Sequence, residues 1–189
     1  MKNKKRYYLL LVSAVLSIIG IFSAGMAFAG CNGLDWTIRK YHYEARVIIN
    51  ESEECSIGRY HLIIKTPGGK ISNFTSQRDG WIQRIWLEPL GKTTTPSVIV
   101  WLQNVGSGSY GIVNVYTPAS GQANTYTLLK MASLPSTVKG YEGHDEYTVT
   151  DGTIYRAFPR YKSTDPNGCP SGGQALFKYD LQNNQWIEQ

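Results

Sequence analysis

Three histidines, three cysteines and one run rich in glycine and serine are the residues of this chain that could carry out chemistry. His42, His61 and His144 stand at no metal-ligand spacing and no C-x-x-C occurs, so no zinc site is expected. No D-x-D-x-D-G loop suggests calcium. The run Gly106-Ser107-Gly108-Ser109-Tyr110-Gly111-Ile112-Val113 fits G-x-G-x-x-G-x-V, but residues 112–116 alternate as a strand. A dinucleotide site needs a helix there, whose N-terminus meets the pyrophosphate. A kinase glycine loop does lie in a hairpin, but it also needs a lysine strand, a catalytic Asp loop and a magnesium Asp, which this sequence lacks. Ser107 or Ser109, with His144 and Asp145, could form a hydrolytic triad on paper. No G-x-S-x-G elbow supports it, and triads are made in space rather than along the chain. The expectation is a protein that is not an enzyme, with no catalytic residues, no metal and no cofactor. The five tryptophans could stack on sugars, although Trp in short strands more often serves the core.

The segments that must position these residues begin after an amino-terminal address. Residues 2–6 are basic, no charge occurs from Tyr7 to Leu34, and residues 9–22 are strongly apolar. Residues 1–30 read as a secretory signal of lipoprotein type. Ala27-Phe28-Ala29 is a small-x-small cleavage site, and Phe28-Ala29-Gly30-Cys31 resembles a bacterial lipobox. Lys2, Lys4, Lys5 and Arg6 hold four of the 19 bases and no acid precedes Asp35. From residue 31 on, 15 bases therefore face 14 acids, and the formal +5 of the whole chain falls to +1. A nearly neutral domain carries no electrostatic footprint for nucleic acid. An odd number of cysteines in an exported chain calls for an explanation. Lipidation of Cys31 would leave Cys55 and Cys169 as one disulfide; otherwise Cys31 pairs with one of them. With Asn32 after the lipid-bearing Cys, the expected location is the periplasm, as an outer-membrane lipoprotein.

Residues 31–189 read as one β-rich domain. Apolar and β-branched residues fall in short runs at 44–50, 56–66, 82–88, 97–105, 111–117, 124–131, 147–150, 153–158, 174–180 and 185–188. Gly, Asp, Asn and Pro separate them, which is hairpin punctuation. The clearest hairpin is residues 147–158, where Asp151-Gly152 suits a type I′ turn. No helix-length stretch intervenes, so the fold expected is all-β: a single antiparallel barrel or sandwich of about eight strands.

Four short motifs occur in order: Cys55-Ser56-Ile57-Gly58-Arg59-Tyr60, then Ser107-Gly108-Ser109-Tyr110-Gly111, then Tyr141-Glu142-Gly143-His144-Asp145, then Phe158-Pro159-Arg160-Tyr161. A closing Tyr179…Trp186 hairpin follows. This ordered set resembles the periplasmic inhibitors of invertebrate-type lysozyme. The resemblance spans about residues 45–189. It departs in the turn 90–96, where relatives look acidic and Gly-rich, and in the lipobox, since such inhibitors are commonly soluble. It implies that the partner is a lysozyme of invertebrate type, that the protein forms a homodimer, and that Ser107, Gly108, Tyr110, Tyr141, Gly143 and His144 form the lysozyme-binding site. Ser107 and Tyr110 would enter the enzyme's cleft on a Gly-rich turn, and the imidazole of His144 would offer a proton to a carboxylate. Two other classes remain open on the residues alone. One is a carbohydrate- or peptidoglycan-binding lipoprotein using exposed Trp and Tyr; the other is a hydrolase using Ser107 and His144.

Overall fold

The computed structural model describes residues 33–54, 56–120 and 124–189. They belong to the unit Cys31–Gln189, which the chain separates from Met1–Gly30. The signal-segment and lipidation readings, including Cys31, lie outside the described residues.

The fold is all-β, as the spacing of turn residues predicts. It is neither a closed barrel nor a two-sheet sandwich of eight strands. Twelve strands among the described residues form three consecutive four-stranded antiparallel meanders. The first holds β1 (Leu34–Lys40), β2 (Tyr43–Ile49), β3 (Ile57–Lys65) and β4 (Ile71–Asp79). The second holds β5 (Trp81–Pro89), β6 (Pro96–Gln103), β7 (Gly111–Pro118) and β8 (Tyr126–Leu129). The third holds β9 (Glu146–Thr150), β10 (Thr153–Pro159), β11 (Gln174–Asp180) and β12 (Gln185–Glu188). Each strand pairs with its sequence neighbour within its sheet, so the connections stay short.

Two cores, rather than one, explain the departure from a sandwich. Side chains alternate across a strand. In β6, Val98, Val100 and Leu102 pack with Val47, Tyr60 and Leu62 of the first sheet. Ile99 between them packs with Ile154, Phe158 and Phe177 of the third, and Trp101 joins that side. The second sheet is therefore the middle layer, covered on both faces. Its run Ser97-Val98-Ile99-Val100-Trp101-Leu102 is continuously apolar after Ser97, the pattern of a strand with no wet face. Each such Val or Ile, fully buried, contributes ~1.5–3 kcal/mol of transfer free energy.

The buried hydroxyls between the first two layers satisfy one another. Asn114 Nδ2 donates to the Tyr60 hydroxyl at 2.7 Å, which lies 2.7 Å from the Tyr116 hydroxyl, and Ser76 Oγ lies 2.5 Å from the latter. Burial raises the pKa of both phenols, so the group stays neutral. Through Asn114 and Tyr60 the S-I-G-x-Y segment braces β7 from below.

The hairpin expected at residues 147–158 is present as β9 and β10. Asp151 and Gly152 have φ of 49° and 70°, the two positive values a type I′ turn requires. Two strands fall where the apolar runs did not reach, β1 and β4. Cys169 is free and exposed on the 165–173 loop. Its expected partner Cys55 lies outside the described residues, so the bridge is not part of the described structure.

Candidate functional site

The middle sheet delivers both central motifs to one end of the molecule. The β6–β7 connection, residues 104–110, leaves the sheet and returns at Gly111. The long β8–β9 connection ends at Asp145, beside that same Gly111. Local chemistry shapes the first loop. Gly106 N–H donates to Asn104 Oδ1 at 2.6 Å, an Asx turn, and Ser109 N–H donates to Gly106 O at 2.9 Å. Asn104 N–H bonds Tyr110 O at 2.9 Å and closes the loop base. Asn104 Nδ2 reaches Asp79 Oδ2 at 2.9 Å, and the Gln103 amide donates to Ser109 O. The loop is thus tied by five hydrogen bonds, and it holds Ser109 at a φ of 43°.

The two loops meet backbone to backbone. His144 N–H donates to Gly108 O at 2.6 Å. Gly143, at a φ of 92°, lies so close that a Cβ there would overlap the Gly108 carbonyl, and a Cβ on Gly108 would overlap the Tyr110 ring. Glycine is therefore required at both positions, for proximity as well as for the positive φ of Gly143. Replacing Gly143 by Ala should push the loops apart. A cost of roughly 1–3 kcal/mol from the backbone alone is expected, read as a lower melting temperature with the Ser107 and Tyr110 side chains untouched.

Beneath the loops lies a buried ionic hub. Asp145, with a fully buried carboxylate, accepts from Arg156 Nε at 2.6 Å through Oδ1. Its Oδ2 accepts from the Tyr141 hydroxyl at 2.6 Å and from Gly111 N–H at 2.7 Å. The Tyr147 hydroxyl donates to Gly111 O at 3.1 Å. Burial, reinforced by the hydrogen bond to Asp145, holds the Tyr141 pKa well above that of a free phenol, so it serves as a neutral donor. Burial works against the charge on Arg156, but Tyr147 and Asp145 outweigh it and the pKa rises. The guanidinium also lies 4.9 Å from the Tyr141 ring centre and 5.9 Å from that of Trp186. Each polar group of the hub has a partner, the condition under which a buried ion pair is tolerated.

These contacts sort the expected site residues. Ser107 is exposed at the loop tip, and its hydroxyl has no partner among the described residues. Tyr110 is 42% exposed, with its ring edge-to-face against Tyr141 at 5.7 Å. Gly108 and Gly143 form the loop junction. Tyr141 does not project: it stands on Phe158, rings 4.7 Å apart, and spends its hydroxyl on Asp145. His144 is half-buried: its Nε2 is buried and unpartnered, and its ring stacks on Tyr161 at 6.2 Å. Tyr161 N–H in turn holds Gly140 O at 2.8 Å, and Tyr141 bridges to Arg160. The F-P-x-Y segment is therefore the buttress of the Y-x-G-H-D loop.

No family model, curated protein or solved structure matches the chain.

A strand, β7, follows the glycine run, which is not the helix a dinucleotide fold places there. Ser107, Ser109, His144 and Asp145 make no hydrogen bonds among their side chains, and both Asp145 oxygens are engaged elsewhere. Trp86 and Trp186 are buried and Trp36, Trp81 and Trp101 half-buried; all but Trp81 pack in the two cores. His42 sits exposed in the β1–β2 turn, and His61 lies 3.0 Å from the Thr75 hydroxyl on the outer sheet. No group of three potential ligands for a metal occurs among the described residues.

Sequence reasoning did not single out Arg156, Asn104 or Gln103. Arg156 had a signal: in β10 it shares the inward face with Ile154 and Phe158. An arginine at an inward position of an alternating strand calls for a buried acid.

Proposed function

We propose that this protein binds invertebrate-type lysozyme and inhibits it by inserting the Gly106–Tyr110 loop into the active-site cleft. One observation supports this above the others. Two motifs 34 residues apart, from Gly111 to Asp145, are joined by hydrogen bonds into one braced pair of loops on which Ser107 and Tyr110 are exposed. A glycosidase cleft holds two carboxylates around the scissile bond. The unpaired Ser107 hydroxyl is a donor for one of them. Tyr110 supplies a flat ring at low entropic cost, already oriented by Tyr141. Rigidity matters because loop ordering then costs little on binding. Gly108, Gly143, Tyr141 and His144 act as supports, the last through its main-chain N–H. The protein acts as a plug, with no catalytic residues and no cofactor. We place it in the periplasm, anchored through Cys31, as a homodimer on the resemblance alone.

The test is a lysozyme activity assay with the purified mature protein. Inhibition is expected, and Ser107→Ala should weaken it by ~1–2 kcal/mol, for one hydrogen bond to a charged partner. That corresponds to roughly 5- to 30-fold in the inhibition constant. Lys162→Ala, on an exposed loop, should be silent. Absence of inhibition by the intact, folded protein would remove the proposal.

A further inference from the structure

A second site lies beside the loops. The ladder between β7 and β8 runs from Pro118↔Tyr126 to Val115↔Leu129 and stops. Beyond it the chain peels away toward the third sheet. Ala132 is held there by both backbone groups: its N–H donates to the Tyr179 hydroxyl at 3.0 Å, and its C=O accepts from Trp186 Nε1 at 3.0 Å. Between the first half of β7 and the departing segment opens a cleft of about 700 Å3.

Strand register says what its wall offers. Asn104 N–H bonds Tyr110 O, so 104 and 110 are a hydrogen-bonded pair. Antiparallel pairs alternate, which makes Leu102↔Ile112 and Val100↔Asn114 hydrogen-bonded toward β6. Residues 111, 113 and 115 then turn their N–H and C=O the other way. Val115 meets Leu129. Gly111 is claimed by Asp145 and Tyr147. Val113 would meet Met131, which has left the sheet, and no hydrogen bond joins the two. One donor and one acceptor, spaced for a single strand residue, therefore face the cleft unclaimed.

The lining supplies the rest. Val113, Met131, Leu134 and Val138 are apolar, and Tyr110 and Tyr141 close the end nearest the loops. No Asp or Glu lines the cleft. Its two cations are Arg156, already neutralised by Asp145, and Lys130, which has no ion pair among the described residues. An alkyl chain with an anionic head would suit Lys130 but leave the Val113 pair unmet. A sugar would meet the hydroxyls of Tyr110 and Ser133 but lay its polar ring against the apolar wall of Met131, Leu134 and Val138. An extended peptide matches all three features: main-chain groups for Val113, apolar side chains for the walls, and a carboxylate for Lys130. Strand addition at a free edge is an established mode of recognition.

We propose that this cleft binds an extended segment of a partner protein, added as a strand to β7 at Val113, with a carboxylate of that segment beside Lys130. The proposal does not depend on lysozyme inhibition.

The experiment uses the mature protein and fluorescein-labelled hexapeptides of alternating valine and threonine, ending in a free carboxylate or a carboxamide, with decanoate as a comparison. Carboxylate peptides should bind and slow amide exchange at Val113. Carboxamide peptides should bind about threefold more weakly, the scale of one exposed ion pair. Lys130→Ala should erase that difference. Peptides N-methylated on the backbone should not bind, a result independent of any variant's folding. Leu134→Trp, which fills the cleft, should abolish binding with an unchanged melting curve. No peptide binding up to about 1 mM, or binding that leaves the Val113 amide unprotected, would overturn the proposal. Displacement of bound peptide by decanoate with equal protection of Lys130 variants would overturn it as well.

Discussion

Replacing Asp145 by alanine is expected to cost ~3–5 kcal/mol of stability, the range for breaking a buried ion pair. Three donors lose their acceptor at once: Arg156, Tyr141 and the Gly111 N–H. Arg156 is the decisive loss, because its side chain is 10% exposed and its charge would remain buried without an anion. For a domain of this size that amounts to a fall in melting temperature of roughly 6–20 °C. The attribution to the pair, rather than to the loss of side-chain volume, is checked by a double-mutant cycle. In an Arg156→Met background, Asp145→Ala should cost much less than alone, since no charge is then stranded. Tyr141→Phe keeps the ring on Phe158 and loses one hydroxyl, so it should cost only ~1 kcal/mol. Because Asp145 also fixes Gly111, the Asp145→Ala protein should inhibit lysozyme more weakly even where it remains folded. A melting curve unchanged by Asp145→Ala would show that the hub does not hold the loops.

Tyr110→Ala is expected to produce the largest functional loss. Truncation of a central aromatic in a binding loop costs ~2–4 kcal/mol, roughly 30- to 1000-fold in the inhibition constant. The structure separates this from a folding defect. Tyr110 is 42% exposed, its ring rests edge-to-face on Tyr141 and close to Gly108 and Gly143, and the loop closes through the main chain of residues 104, 106, 109 and 110. Circular dichroism and melting temperature should stay close to wild type. Tyr110→Phe should retain most of the inhibition if the ring is the anchor, and lose about as much as Ser107→Ala if the hydroxyl bonds a carboxylate. Inhibition unchanged in Tyr110→Ala, Ser107→Ala and the double variant, all folded, would sink the plug mechanism. If stability and inhibition instead fell in parallel, the ring would be a packing element of the loop junction.

Much of the secondary structure was legible because local chemistry decides it. The β9–β10 hairpin follows from alternation in Tyr147-Thr148-Val149-Thr150 and from Asp151-Gly152, which tolerate positive φ at little cost. β1 had a readable signal in Leu34, Trp36 and Ile38, alternate residues on one face, although its turn uses Tyr41 and His42 at positive φ instead of Gly. β4 had almost none. Ile-Ser-Asn-Phe-Thr-Ser-Gln-Arg-Asp is a polar edge strand, and it is a strand because β3 offers it nine consecutive partners. Propensity in such a case is subordinate to pairing.

The candidate site divides the same way. The sequence by itself determined that Ser107 and Tyr110 sit on a glycine-rich turn between two strands, since Gly, Ser and Asn there favour a turn whatever the surroundings. It also determined an all-β chain, through short runs and frequent breakers. Tertiary structure decided the three layers. A two-faced apolar strand such as β6 says that both sides are covered, but not which sheets cover them. It decided that Tyr141 stands on Phe158 and that the His144 N–H holds the Gly108 carbonyl. Above all it chose Asp145 as the partner of Arg156 and brought Gly143 against Gly108. Those contacts join residues far apart in the chain, and their energy exists only once desolvation and close packing have made each group's alternatives worse.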